Sequence, residues 1–141
     1  MNIKHKQGFT LLEIIIVIII IGVLASLALP RFFSTVEFSR STEAMNAMAV
    51  VRKSIERCSV FNNDYSSCNN FTNIDVDDPG LAPEAHFSYT IVASGTSGTK
   101  DYTITATRNT KDGGDGTSLV TVHSTTTGVT RSGTTAFASI K

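Results

Sequence analysis

A run of twenty-one residues near the start of the chain most constrains what this sequence can fold into. Residues 9–29 read FTLLEIIIVIIIIGVLASLAL and carry a single charge, on Glu13. This length matches the roughly 20 apolar residues that an α-helix needs to cross the hydrocarbon core of a bilayer. Such an isoleucine-rich run is stable as a helix in lipid, where every backbone group must bond within its own segment. The sequence therefore predicts a membrane-spanning helix over 9–29.

The residues before this run favour one orientation of the span. Residues 1–8 read MNIKHKQG and carry two lysines, Lys4 and Lys6. Positive charge beside a membrane span is retained on the cytoplasmic side. We therefore expect the rest of the chain to lie outside the cytoplasm.

A second helical pattern follows over residues 30–58. Apolar residues recur at spacings of three and four, which is typical of a helix with one buried stripe. The stripe consists of Ala44, Met48, Val51, Ile55 and Cys58. We interpret the charged residues as a solvated face, in which Arg52 and Glu56 stand one helical turn apart: Glu37, Arg40, Glu43, Arg52, Lys53, Glu56 and Arg57. The pattern predicts that 30–58 is the amphipathic half of one long helix.

Two residues weaken this helix near the end of the apolar run. Pro30 lacks the N–H that would bond to the carbonyl of Ser26, and its ring crowds that turn. Gly22 lowers helix stability by about 1 kcal/mol relative to alanine. We therefore predict a break in the helix at Gly22 and Pro30.

The second half of the chain has the pattern of a loop followed by strands. Residues 59–85 are rich in Asn, Asp and Ser and contain a Pro-Gly turn signal. Within 86–141 the apolar residues alternate with polar ones in short runs, which indicates strands at 87–92, 102–107, 119–123 and 129–131. An antiparallel meander can cover the apolar stripe of the helix with one face. We predict an α+β fold in which a long N-terminal helix packs on a small β-sheet head.

The two cysteines, Cys58 and Cys68, fit either one disulfide or two free thiols. A location outside the cytoplasm favours the disulfide.

The histidines His86 and His123 lack the spacing of metal ligands, and we interpret them as ordinary strand residues. An oxygen-rich segment could hold calcium or form a glycine-rich hairpin, and the missing EF-hand spacing favours the hairpin. Its residues are Asn109, Asp112 and Asp115. We predict no metal and no cofactor.

Charge and motifs exclude several classes of function. Twelve basic and twelve acidic residues balance, so the broad basic surface of a nucleic-acid-binding protein is missing, and we expect no nucleic acid to bind the lone subunit. The sequence contains no phosphate-binding G-x-x-x-x-G-K loop, no H-E-x-x-H and no G-x-S-x-G. We predict that the chain has no catalytic residues and is not an enzyme.

The junction between leader and span carries a more specific pattern. It reads KHKQG and then FTLLE, and the span ends at a proline. In this it resembles the type IV pilins and pseudopilins. The resemblance implies that a prepilin peptidase cuts between Gly8 and Phe9 and methylates the Phe9 amine. It also implies that Glu13, a costly carboxylate at the edge of an apolar span, pairs with the Phe9 amine of a neighbouring subunit.

The same resemblance implies a function. The chain would be a structural subunit of a type IV pilus-like helical filament, or alternatively a pseudopilin of a type II secretion or DNA-uptake system. Before assembly it would be anchored in the lipid of the bacterial inner membrane, and it would then be incorporated into a surface filament or a periplasmic pseudopilus. Its partners would be identical subunits, the peptidase, an inner-membrane assembly platform and a separate ATPase motor. In such filaments the segment between Gly22 and Pro30 tends to lose helicity.

Two other interpretations of the N-terminus stay open. A secretory signal peptide that is cleaved after Ala28 would release a soluble, β-rich binding module. Glu13 in the apolar region and Pro30 just after the cut count against it. A plain membrane anchor would instead let the Glu13 carboxylate reach the lipid headgroups. The Gly-Phe-Thr-Leu-Leu context of Glu13 favours the assembly role.

Overall fold

The structure is a computed structural model that describes residues 9–96 and 98–141. It contains one long helix, α1 (Leu11–Asn62), and four strands. The strands are β1 (Phe87–Ala93), β2 (Asp101–Arg108), β3 (Leu119–Thr125) and β4 (Gly128–Gly133). The predicted leader 1–8, with Gly8, lies outside the described residues. The predicted α+β fold is confirmed.

Helix α1 ends four residues later than the predicted boundary at 58. Asn63 takes the left-handed backbone conformation, with φ 52°. The next amide, of Asp64, donates to the carbonyl of Ser59 at 3.2 Å, which is the bond that closes a helix of this kind. The predicted loop 59–85 therefore begins at Asn63 and includes short 3-10 turns at Ser66–Cys68 and Pro79–Leu81.

The predicted break within α1 is absent from this structure. The helix runs without interruption through Gly22 and Pro30. A proline removes one backbone bond of the ladder, and the turns on either side continue the helix here. Loss of helicity between these residues in an assembled filament stays a prediction.

The sheet is an antiparallel meander in the order β1-β2-β3-β4. Ile91, Ile104 and Val122 stand in register across its first three strands. Burial alternates strictly along β2 and β3, because successive side chains point to opposite faces. One face of the sheet is therefore apolar and packs on α1, as the sequence predicts.

The hydrophobic core lies between this face and the second half of α1. The helix contributes Ala44, Met48, Val51 and Ile55, all of which are buried. Phe137, in a 3-10 turn after β4, is also fully buried and has its ring 5.7 Å from that of Phe87. The C-terminal residues are thereby anchored to the start of the sheet.

The chain divides after Val36 into two units. The described part of the first unit is helical from Leu11 and has its apolar side chains exposed. The second unit, Glu37–Lys141, contains the rest of α1 and the whole sheet, and we call it the C-terminal unit.

Candidate functional site

The first turn of α1 places Glu13 at the third position of the helix. Thr10 is the residue before the helix, and its side-chain Oγ1 accepts from the Glu13 amide at 3.2 Å. A threonine that is followed three residues later by a glutamate forms the capping pattern that fixes a helix start. Thr10 therefore holds Glu13 in the first turn of the helix, four residues after Phe9. Sequence reasoning missed Thr10, although the Thr-x-x-Glu spacing is a readable signal.

The Glu13 carboxylate stands alone on this part of the helix. Within the described residues it forms no ion pair, and between Phe9 and Arg31 no other side chain is charged. The geometry leaves this carboxylate available to a cation from outside the chain.

Around Glu13 the span presents uncovered apolar surface. Leu11 is 78% exposed, and the other large apolar side chains from Leu12 to Leu29 are each at least 40% exposed. They are Leu12, Ile14, Ile15, Ile16, Val17, Ile18, Ile19, Ile20, Ile21, Val23, Leu24, Leu27 and Leu29. Among the described residues, α1 is the one helix long and apolar enough to cross a membrane. Such a surface is stable in water only when lipid or other apolar side chains cover it.

The C-terminal unit is fixed by a buried arginine that sequence reasoning missed. Arg108 ends β2 on the inner face of the sheet, and its side chain is 1% exposed. Its guanidinium donates to the Glu37 carboxylate at 3.0 Å and 3.3 Å. It also donates to the backbone carbonyls of His86, Asn109 and Lys111. Arg108 thus ties α1 to the β2–β3 connection.

Glu37 is therefore not on a solvated face, and neither is Glu56. The Glu56 carboxylate accepts from the hydroxyl of Tyr102 at 2.6 Å and from that of Tyr65 at 3.0 Å, and it pairs with Lys100. Partial burial raises the pKa of Glu56, but the hydrogen bonds from Lys100 and the two tyrosines outweigh it, so the net pKa is lowered. Burial, followed by the bond to Glu56, raises the pKa of Tyr102. Both predictions were wrong for one reason: each glutamate accepts from a donor on β2, Glu37 from Arg108 and Glu56 from Tyr102.

A disulfide joins Cys58, near the end of α1, to Cys68 in the loop that follows. Beside it, Arg57 forms two hydrogen bonds to the Asp75 carboxylate, both at 2.9 Å. These bonds and one from Ser54 hold the pKa of Asp75 at about 2. The loop is therefore attached to the helix end covalently and by an ion pair.

The oxygen-rich segment does not converge on a cation position. Asn109 bonds to Arg108 and to the carbonyl of Ala85. Asp112 bonds to His86, which also contacts Glu43, and His86 lies just before β1 rather than within it. Within the described residues no group of three metal-ligating side chains comes together. The segment is a hairpin connection held by its own polar side chains.

Asp115 in this connection provides a pH test. Bonds from the Ser118 hydroxyl and from the amides of Ser118 and Thr117 hold the pKa of Asp115 at about 2. A pKa lowered by folding stabilises the folded state above the unfolded value of about 4 and loses that effect as the pH falls toward 2. We expect the free energy of unfolding to fall between pH 4 and pH 2, and to fall less steeply in Asp115→Asn. Urea unfolding at several pH values measures both slopes.

The matched control for this experiment is Asp77→Asn. Asp77 is exposed, and within the described residues its side chain has no hydrogen-bond partner. Its replacement should leave the wild-type slope unchanged. Equal slopes in wild type and Asp115→Asn would contradict the role of Asp115.

Comparisons with known proteins agree with this geometry. Residues 3–29 match a family model described as the prokaryotic N-terminal methylation motif. Residues 30–118 match a model described as the type IV minor pilin ComP, DNA uptake sequence receptor. The two matches meet at Pro30, where the sequence changes from apolar to amphipathic. No solved structure matches the chain.

Curated relatives match part of the chain. The type II secretion system core protein G of Aeromonas hydrophila is 31% identical over 81 residues, 57% of this chain and 57% of that protein. The protein of the same name from Escherichia coli K12 is 35% identical over 80 residues, 57% of this chain and 55% of that protein. The type IV major fimbrial protein FimA of Dichelobacter nodosus is 33% identical over 63 residues, 45% of this chain and 40% of that protein. The matched regions thus cover between 40% and 57% of the length of these relatives.

Proposed function

Because this chain belongs to the type IV pilin family, in the group of the minor pilin ComP, we propose that it is a structural subunit of a helical filament. The observation that carries this proposal is the exposed apolar surface of α1 from Leu11 to Leu29. Lipid covers that surface in the inner membrane before assembly. In a filament, the same segments of identical subunits cover one another.

The energetics favour a bundle over a free subunit in water. Burial of apolar surface contributes about 25 cal/mol per Å², so covering even half of such a span contributes tens of kcal/mol. Hydrophobic contact has no direction and does not by itself fix the stagger of neighbouring helices. A charged group can, because every offset that leaves a buried carboxylate unpaired is penalised.

Glu13 is the residue that we propose sets this stagger. Cleavage between Gly8 and Phe9 would create an amine four residues before it. Thr10 holds Glu13 in the first helical turn, and the described chain offers its carboxylate no cation. The amine of a neighbour's Phe9 is a cation of the same membrane depth. A contact between two different groups on identical subunits repeats from one subunit to the next, and it generates a helical filament when the rotation between neighbours does not close a ring.

The mature N-terminus tests the processing step. We expect the protein purified from cells to begin at Phe9 and to carry one methyl group on its amine, since the pair proposed above requires a free amine there. Intact-mass and fragment-mass spectrometry of the purified chain measures both features. Gly8→Ala is the control and should retain the leader. A chain that begins at Leu29 would contradict the filament proposal and support the secreted module.

A second candidate function follows from one specific match. The family model over residues 30–118 describes a DNA uptake sequence receptor. If this chain acts in DNA uptake, it would be a minor subunit that contacts DNA once assembled, which goes beyond the prediction that the lone subunit binds none. Transformation frequency in a strain that lacks the gene, with piliation scored in parallel, separates the two roles. The similarity to core protein G supports a further alternative, in which the filament is the pseudopilus of a type II secretion system.

A further inference from the structure

Among the described residues, two arginines that line one cleft near the β4 edge of the sheet lack an acidic partner. Arg131 lies on β4, the strand at that edge, and Arg52 lies on α1. Both line one cleft of about 40 Å³, together with Met48 and Val122. Within residues 9–96 and 98–141, neither arginine forms an ion pair.

The lack of a partner for Arg52 has a structural cause. Glu56 stands one helical turn away, where the sequence predicts an ion pair. In the structure its carboxylate is directed to Tyr65, Lys100 and Tyr102 instead. Both arginines line the same cleft, and a single oxyanion bound there would accept hydrogen bonds from guanidinium groups on both sides. The cleft is therefore suited to a carboxylate or a phosphate.

An unpaired acid lies at the opposite edge of the sheet. Asp77 is exposed, and among the described residues it forms neither an ion pair nor a side-chain hydrogen bond. It precedes the turn Pro79–Leu81, which Asp78 caps by accepting from the Gly80 amide at 2.8 Å. This turn packs against β1, where a Cβ on Gly80 would stand 3.1 Å from the Phe87 carbonyl oxygen. β1 and β4 are the two outer strands of the sheet.

We infer that a second copy of this chain places its Asp77 carboxylate in the cleft of Arg52 and Arg131. The contact joins opposite edges of the sheet, so each copy offers one acidic and one basic edge. A contact of this kind repeats along a filament without closing. The inference rests on the filament proposal and deepens it, because it names a second interface beyond the apolar helices.

The overall charge favours a carboxylate over nucleic acid in this cleft. Acidic residues outnumber basic ones in the C-terminal unit, so its net field repels a phosphate polymer. A single carboxylate on a neighbouring subunit is brought to the cleft by assembly itself. The phosphate alternative is kept as an outcome of the test below.

Charge reversal in the full-length chain tests the contact. Arg131→Glu and Asp77→Lys should each lower filament yield about tenfold, because each brings like charges together. The double variant carries both reversals in every copy and should restore most of the yield. Lys141→Glu, which reverses an exposed charge at the chain end, is the control and should assemble like wild type. Sheared filaments, measured against total subunit in the membrane, give the yield.

Cross-linking gives a readout that does not depend on the stability of the charge variants. Both native cysteines form the disulfide, so a bifunctional maleimide reacts with introduced thiols. The double variant Arg131→Cys/Asp77→Cys should give a ladder of covalent multimers in filaments, while either single variant gives none.

Each outcome decides between the two proposals. Absence of filaments in the wild type would remove the filament proposal itself. Normal yields from the single reversals, no recovery in the double reversal, or no cross-linked ladder would overturn the inference and leave the filament proposal intact. If Arg131→Glu instead abolishes the binding of duplex DNA to the detergent-solubilised chain at unchanged filament yield, the cleft is a phosphate site and the inference is wrong.

Discussion

Replacing Arg108 with methionine should lower the free energy of unfolding of the C-terminal unit by about 3 to 5 kcal/mol. The guanidinium is 1% exposed, and its loss leaves Glu37, itself 22% exposed, with Arg40 at 3.1 Å as its remaining cation. The carbonyls of His86, Asn109 and Lys111 lose a donor at the same time. Removing one member of a buried ion pair is destabilising because the polar groups that it bonded lose a partner at a site largely shielded from water.

Urea unfolding of the detergent-solubilised chain measures this effect. All three tyrosines lie in the C-terminal unit and the chain has no tryptophan, so tyrosine emission reports on that unit. Arg57→Met is the matched control, because Arg57 also makes two bonds to one carboxylate, that of Asp75. That pair is exposed by 57% and 61%, so solvent screens it and its loss should destabilise the unit far less.

Arg108 and Arg57 both bond to one carboxylate and differ in burial, so comparing the two variants tests the effect of burial. If Arg57→Met destabilises the unit as much as Arg108→Met, the argument from burial is wrong. A second test combines Arg108→Met with Glu37→Leu. Glu37→Leu removes the carboxylate that Arg108 and Arg40 share, so the loss in the double variant should be smaller than the sum of the two single losses. A purely additive loss in the double variant would show that the two side chains are not coupled.

The sequence predicts the sheet and the helix stripe well because each has a local period. Alternation of Tyr102, Ile104 and Ala106 identifies the inner face of β2, and each of these residues is buried. The same alternation continues to Arg108. Because the pattern counts only apolar residues as inward-facing, it ends the strand before this arginine. Its partner Glu37 lies 71 positions away, and nothing local in the sequence joins the two. Pairing at that distance depends on the tertiary fold.

The predictions of the helix end and of the role of Glu56 were wrong for related reasons. The composition of the segment after Cys58 indicates a loop, yet the helix continues until Asn63 takes a left-handed conformation and stops it. Glu56 has a suitable partner one turn away in Arg52, and local spacing predicts that pair. Two tyrosine hydroxyls and Lys100 offer the carboxylate more bonds than one exposed arginine does. The spacing of residues along a helix cannot show which side chains from other parts of the fold lie beside it.

At the N-terminus, the sequence predicts more than the structure of one subunit can test. The apolar run and the lone acid are local features, and the exposure of both is visible in the subunit. Gly8 lies outside the described residues, and the amine of a neighbour's Phe9 belongs to another molecule. The cleavage site and the pair of Phe9 with Glu13 therefore stay predictions that only the mature, assembled protein can answer.

Glu13→Gln should leave membrane insertion and cleavage intact and lower filament yield at least about a hundredfold. The substitution keeps the shape of the side chain and its place in the first turn, which Thr10 fixes through the backbone amide of residue 13. It removes the charge, so a neighbour's amine would be buried among apolar side chains without a counter-ion. A buried charge left unpaired costs about 3 to 5 kcal/mol, and each 1.4 kcal/mol is tenfold in an equilibrium.

Glu13→Asp separates the pairing role from that of a membrane anchor. Aspartate keeps the charge on a shorter side chain, so we expect a filament yield between those of wild type and Glu13→Gln. If the carboxylate only reached the lipid headgroups, neither variant would alter filament yield, because an uncharged residue at the start of an apolar span is readily accepted in a membrane. Sheared filaments are quantified against subunit in the membrane, and mass spectrometry confirms cleavage after Gly8 in every variant. Wild-type yield from fully processed Glu13→Gln would remove Glu13 from the assembly mechanism, since hydrophobic contact alone would then suffice to set the stagger.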